Sequence, residues 1–134
     1  MFDMIGTALK KIFGTKSDRD IRVILPYVDK TKAEFAKLQG ISDDELRDRT
    51  RQMQQHVDKS LEEIDRQISE LHQQVEDNPE MDIQEKEVIF NKIDKLDLER
   101  DKKLEEVLLE ILPQAFAVVK ETARRLKENK KLVV

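Results

Sequence analysis

His56 and His72 are the only histidines in the chain, and there is no cysteine. Thiolate metal sites, disulfides and cysteine nucleophiles are therefore excluded. The two histidines stand 16 residues apart on one predicted helix, among charged neighbours. Metal sites in helical bundles draw on Glu-x-x-His ligand pairs, and the sequence contains none, so no metal site is expected. Carboxylates are numerous, but they sit beside Lys and Arg on predicted exposed faces. Placed this way they form a solvated charged surface rather than an acid–base couple. Gly14-Thr15-Lys16-Ser17 resembles the end of a phosphate loop. That loop needs a glycine five residues before its last glycine and a lysine directly after it, and Leu9 and Thr15 occupy those places. No complete active site is legible. The chain is expected to hold no catalytic residue, cofactor or metal of its own.

The elements around these residues follow from composition. The chain has 134 residues, which suits one domain of ordinary size. Charged residues make up 40% of it and hydrophobic residues 38%, with 3 Gly and 3 Pro. So few glycines leave little for hairpin turns, barrels or dinucleotide folds. High charge with little Gly or Pro is the composition of long helices, so the expected class is all-α. The formal net charge is −4. That argues against a nucleic-acid partner held by bulk positive charge, and no specific nucleic acid is expected. No apolar run approaches the roughly 20 residues of a membrane span. Met1 to Phe13 is not a secretory leader, because Asp3, Lys10 and Lys11 interrupt it. The expected location is cytoplasmic.

Four stretches carry the pattern. In residues 1–16, Phe2, Ile5, Leu9 and Ile12 recur at steps of three and four, and Phe13 widens the stripe. With Lys10, Lys11 and Lys16 this is a short basic amphipathic helix. It fits an anionic bilayer or a partner groove, and equally a place on its own domain. A helix this short is marginal alone in water, so it must dock on something. Residues 17–53 start with Ser17 or Asp18 as a cap. The stripe Ile21, Ile24, Leu25, Val28, Phe35 and Leu38 follows. Pro26 predicts a kink or restart near Leu25, and Gly40 a stop. A new helix is then announced by the capping box Ser42-Asp43-Asp44-Glu45, with Ile41 and Leu46 placed as a staple.

Residues 54–103 read as a long helical hairpin. Val57, Leu61, Ile64, Ile68, Leu71 and Val75 step by four and three, a heptad seam. Glu62 and Arg66 are spaced to pair on the exposed face. Glu76-Asp77-Asn78-Pro79 makes the turn. Ile89, Ile93, Leu96 and Leu104 mark the returning seam, with Arg100 as a polar interruption. Two narrow seams suit antiparallel coiled-coil packing. The hairpin either closes on itself or joins a second copy as a four-helix homo-oligomer. In residues 104–134 the hairpin ends near Leu112. Pro113 then fits the first position of a further helix. Phe116, Val119, Ala123 and Leu126 give that helix a broad apolar face, which implies burial against several elements or self-association. Leu132-Val133-Val134 reads as the opening of a strand.

Two stretches are more specific than helical periodicity. One is Ile111-Leu112-Pro113-Gln114-Ala115-Phe116-Ala117-Val118-Val119-Lys120-Glu121-Thr122-Ala123-Arg124-Arg125. The other is Leu38 to Arg51, centred on Ser42-Asp43-Asp44-Glu45-Leu46-Arg47. With the opening Leu9-Lys10-Lys11-Ile12-Phe13-Gly14, their order and position resemble the amino-terminal region of the bacterial SecA preprotein translocase ATPase. Residues 54–103 have no counterpart in that pattern and form an inserted hairpin. The family's glutamine motif, phosphate loop and acidic metal-binding motif are also missing.

The resemblance implies an ATP-driven motor for preprotein export through the SecYEG channel, with ATP and Mg bound in the whole protein and not in this chain. It implies docking to anionic phospholipid, channel or ribosome, and a peripheral place at the inner face of the plasma membrane. Phe2, Ile5, Leu9, Ile12 and Phe13 would face the lipid or partner. Lys10, Lys11 and Lys16 would meet anionic headgroups or the ribosome. Phe116, Val119, Ala123 and Leu126 would face the motor. The competing reading is a freestanding coiled-coil adaptor whose seam or tip binds a partner helix.

Overall fold

The computed structural model describes residues 14–129. Among the described residues every regular element is helical: α1 spans Lys16–Lys37, α2 Asp43–Glu76 and α3 Ile83–Asn129. The all-α class expected from composition holds.

Local signals set the helix starts. The α2 cap is the box legible in the sequence: the Ser42 hydroxyl accepts from the Glu45 amide at 3.1 Å, and the Glu45 carboxylate accepts from the Ser42 amide at 2.7 Å. These bonds satisfy two donors at the helix start. They also hold the Glu45 carboxyl below its ordinary range. The α1 start differs from expectation. Thr15, not Ser17 or Asp18, is the cap: its hydroxyl accepts from the Asp18 amide at 3.1 Å, and its own amide donates to the Asp18 carboxylate at 2.7 Å. Asp18 acts as the third residue of a box rather than as the cap. Gly14, at φ 69°, lets the chain pass this close, because a β-carbon there would lie 3.2 Å from Asp18 Cβ. Gly40, at φ 79°, occupies the left-handed conformation that glycine adopts most readily and turns the chain from α1 toward Ser42.

Neither helical proline interrupts its helix. Pro26 brings no restart, since α1 runs unbroken through it. Pro26 and Arg22, whose carbonyl loses its donor, are both exposed, so solvent can take over that bond. Pro113 does not open a fifth helix; it lies inside α3, a single helix of 47 residues. Buried side chains anchor α3 on both sides of it, Val107 before and Ala117 after. Tertiary packing there outweighs the roughly 3 kcal/mol that an interior proline costs.

The described residues divide into two units, residues 14–40 with 112–129, and residues 41–111. In the second unit, α2 packs against the first part of α3. Arg100 donates to Asp65, and His56 Nε2 lies 3.5 Å from Glu110 Oε1. Going back along α2 from Asp65 to His56 takes the partner forward along α3 from Arg100 to Glu110, so the two helices run antiparallel. Leu46, Met53 and Leu61 of α2 and Ile89, Ile93 and Val107 of α3 are the buried side chains of this unit. In the first unit the buried residues are Leu38, Pro113, Ala117 and Glu121.

Candidate functional site

Three surfaces are candidates for function, and their described parts lie within single units. The first is the basic amphipathic opening. Phe2, Ile5, Leu9, Lys10, Lys11, Ile12 and Phe13 lie outside the described residues, as do the apolar residues at 132–134. Lys16 is the first residue of α1 and is exposed.

The second surface is the hairpin. Of the predicted seam, Leu61, Ile89 and Ile93 are buried. Val57, Ile64, Ile68, Leu71, Val75, Leu96 and Leu104 are half-buried. Leu71 and Leu96 line one open groove with Gln67, Gln74, Lys92 and Lys95. This gradation is what two helices alone can achieve, because each seam residue has neighbours on one side only. Arg100, read from the sequence as an interruption, clamps the seam by donating through Nε and Nη2 to both Asp65 oxygens. The guanidinium holds the Asp65 carboxyl below its usual range. On the outer face of α2, Arg66 pairs with Glu63 at 2.6 Å and also with Glu70, rather than with the expected Glu62. Among the described residues no cluster of His, Asp or Glu is placed to hold a metal ion. No described helix is long and apolar enough to cross a membrane.

The third surface is the last part of α3. Phe116 is 54% exposed, Val119 66% and Leu126 46%, and Ala123 is also exposed. The face that packs within the unit is a different one, centred on Ala117 and Glu121, both 0% exposed. Among the described residues nothing covers the Phe116 face. Glu121 is the functional-looking residue that the sequence hid. Its Oε1 accepts from Arg124 Nη2 at 2.7 Å and from Arg125 Nε at 2.8 Å, and its Oε2 from Arg124 Nε at 2.9 Å. Arg124 first, then Arg125, draw the Glu121 carboxyl down to about 2 against the desolvation that raises it. Arg124 also reaches Glu128 at 2.7 Å, and the two carboxylates raise its pKa. The signal was the Glu-x-x-Arg-Arg spacing, which lets one carboxylate meet two guanidinium groups across a single helical turn. Nearby, Lys120 Nζ sits 4.4 Å from the centre of the half-buried Phe35 ring, tying α3 to α1. Along α1 itself no residue is buried, and Ile21, Val23, Ile24, Leu25 and Val28 are exposed.

Comparison with known proteins gives the class: the family model of the SecA DEAD-like domain matches residues 9–134. The chain belongs to the SecA family. The protein translocase subunit SecA of Cytophaga hutchinsonii is 53% identical over 131 residues, 98% of this chain and 12% of that protein. The SecA of Amoebophilus asiaticus is 42% identical over 124 residues, and that of Parabacteroides distasonis 40% over 126, each match covering 11% of the relative. The chain thus spans about an eighth of the length of these relatives or less. The alignment with the Cytophaga protein covers nearly the whole chain, hairpin included. No solved structure matches.

Proposed function

We propose that the chain is the amino-terminal docking region of a SecA-type motor, which uses ATP to drive preproteins through a SecYEG channel. The single observation that carries this reading is the family match, which runs almost from end to end at up to 53% identity. In this reading ATP and Mg are bound by the whole protein. The chain contributes contacts to the channel, the ribosome or anionic phospholipid on the inner face of the plasma membrane, and supports homo-oligomer contacts. The division into an opening helix (1–16), a first helical region (17–53), an inserted hairpin (54–103) and a closing region (104–134) belongs to the same proposal.

The opening segment carries the membrane part of the proposal. Its stripe of Phe2, Ile5, Leu9, Ile12 and Phe13 would enter the interface, while Lys10, Lys11 and Lys16 meet headgroups. In liposome flotation the chain should rise with vesicles containing anionic lipid and not with neutral ones. Each basic residue near such a surface contributes about 1 kcal/mol, so Lys10→Glu with Lys11→Glu should abolish the binding. Equal flotation with both vesicle types, or with neither, would count against the proposal.

The Phe116 face carries the assembly part. An exposed stripe of Phe116, Val119 and Leu126 would be covered by the rest of the longer protein. When this 134-residue chain is studied alone, the stripe should drive self-association. Sedimentation at several concentrations should show Phe116→Glu shifting the chain toward monomer. An unchanged oligomeric state would remove this role.

A further inference from the structure

The outer face of α3 within the hairpin has a second pattern, separate from the seam. At 100° per residue, positions 83 to 109 that fall in one arc of about 120° lie to one side of the buried Ile89 and Val107, beginning roughly 80° around the axis from them. The arc carries five large apolar side chains: Ile83, Phe90, Leu98, Leu108 and Leu109. All are exposed, Ile83 at 80% and Leu98 at 63%. Between them stand Glu87, Asp94, Asp97, Asp101 and Glu105, also exposed, with Asn91 as the only other residue. The six basic residues of this stretch, such as Lys92 and Lys103, all fall outside the arc.

This differs from an ordinary solvated helix face. On α2 several exposed acids are neutralised along the helix, as when Arg47 takes Asp44 at 2.6 Å and Arg51 takes Asp48 at 2.8 Å. Among the described residues no such partner meets the five acids of the α3 arc; Asp97 and Asp101 do no more than help hold the charge of Arg100. Apolar side chains at steps of seven to ten residues, separated by carboxylates, are half of a helix-to-helix recognition pattern. A second copy in the same pose would set carboxylate against carboxylate, which is unfavourable. An anionic membrane is repelled for the same reason. What complements the arc is a helix with one apolar stripe flanked by Lys or Arg.

We infer that the outer face of α3, from Ile83 to Leu109, is a docking surface for a cationic amphipathic helix. The surface is about 39 Å long at the helical rise, so it takes up to about 26 residues of partner. The apolar side chains supply the contact area, and the carboxylates set orientation and encounter rate.

The probe is a labelled 21-residue peptide of three Leu-Lys-Lys-Leu-Lys-Lys-Leu heptads, with the same peptide carrying Glu for Lys as its counterpart. Fluorescence anisotropy with this chain should show saturable binding of the Lys peptide that weakens with salt, and none of the Glu peptide. Asp94→Lys with Asp101→Lys, and separately Phe90→Ser with Leu98→Ser, should each weaken binding about tenfold or more. Asp58→Lys with Glu62→Lys on α2 makes the same charge change at exposed positions off the arc, and should change affinity by less than about twofold. Circular dichroism on each variant confirms that helix content is retained. No binding of the Lys peptide, equal losses from the α2 variant, or no effect of Phe90→Ser with Leu98→Ser would overturn the inference. So would a dimer of the unliganded chain that these same arc variants dissolve, because a second copy would then cover the face.

Discussion

Leu61→Ala should destabilise the hairpin by about 2–3 kcal/mol, the lower part of the range for a buried Leu cut to Ala. Leu61 is 3% exposed and faces α3 in a two-helix layer. Alanine is the best helix former, so the substitution does not weaken α2 as a helix, and the loss reports packing between α2 and α3. A two-helix layer can close partly around the missing methyls, which keeps the cost from the top of the range. Ile83→Ala is the comparison. Ile83 is 80% exposed, so its truncation should stay within about 0.5 kcal/mol. Thermal or urea unfolding followed by circular dichroism checks both. Equal effects from the two substitutions would mean that the hairpin is held by helix propensity and ion pairs rather than by its seam.

That contrast shows what was legible in the sequence. Leu61, Ile89 and Ile93 were visible because they repeat at heptad spacing among charged neighbours. Such repetition is a property of one helix and needs no knowledge of its partner. The same holds for the Ser42 box, whose two bonds both lie within four residues. Arg100 was misjudged because its partner, Asp65, is 35 residues away and the antiparallel register had to be known first. Pro113 was misjudged because a proline is a strong local signal against a continuing helix. What overrides it is burial of Val107 and Ala117, which depends on other parts of the chain. The Thr15 cap was missed for a smaller reason. Ser17, Asp18 and Thr15 are all capping residues within one turn, and only geometry decides which of them holds the box.

The candidate surfaces divide along the same line. The stripe of residues 1–13 and the Phe116 face could be named from periodicity, because the spacing of an apolar stripe is the same whether or not a partner covers it. Whether a stripe is covered is not a local property. The sequence therefore marks Phe116, Val119 and Leu126 as a face for a partner, which the described residues leave exposed, but does not mark the face that is buried. Pro113, Ala117 and Glu121 form that face, and a glutamate on it reads as solvent-facing until its two arginines are placed.

Glu121 consequently carries the second large expected effect. Its carboxylate is 0% exposed and takes three hydrogen bonds from Arg124 and Arg125. Glu121→Gln keeps the shape and removes the charge. The amide cannot accept at both ends, and one end would turn an N–H toward a guanidinium. The expected cost is about 1–3 kcal/mol, as for a buried charged hydrogen-bond partner that is lost. Glu121→Ala should cost at least as much. The wild type should show the same dependence through pH. The folded pKa of about 2 lies below the ordinary glutamate value of 4.5, so ionised Glu121 stabilises the fold at pH above the unfolded value. That contribution fades as pH falls from about 4.5 toward 2. In Glu121→Gln the fade should be absent, so the melting temperatures of the two proteins should converge as the pH drops through this window. Parallel pH profiles, with a constant gap down to pH of about 2, would mean that the charge of Glu121 is not what stabilises the fold at this site.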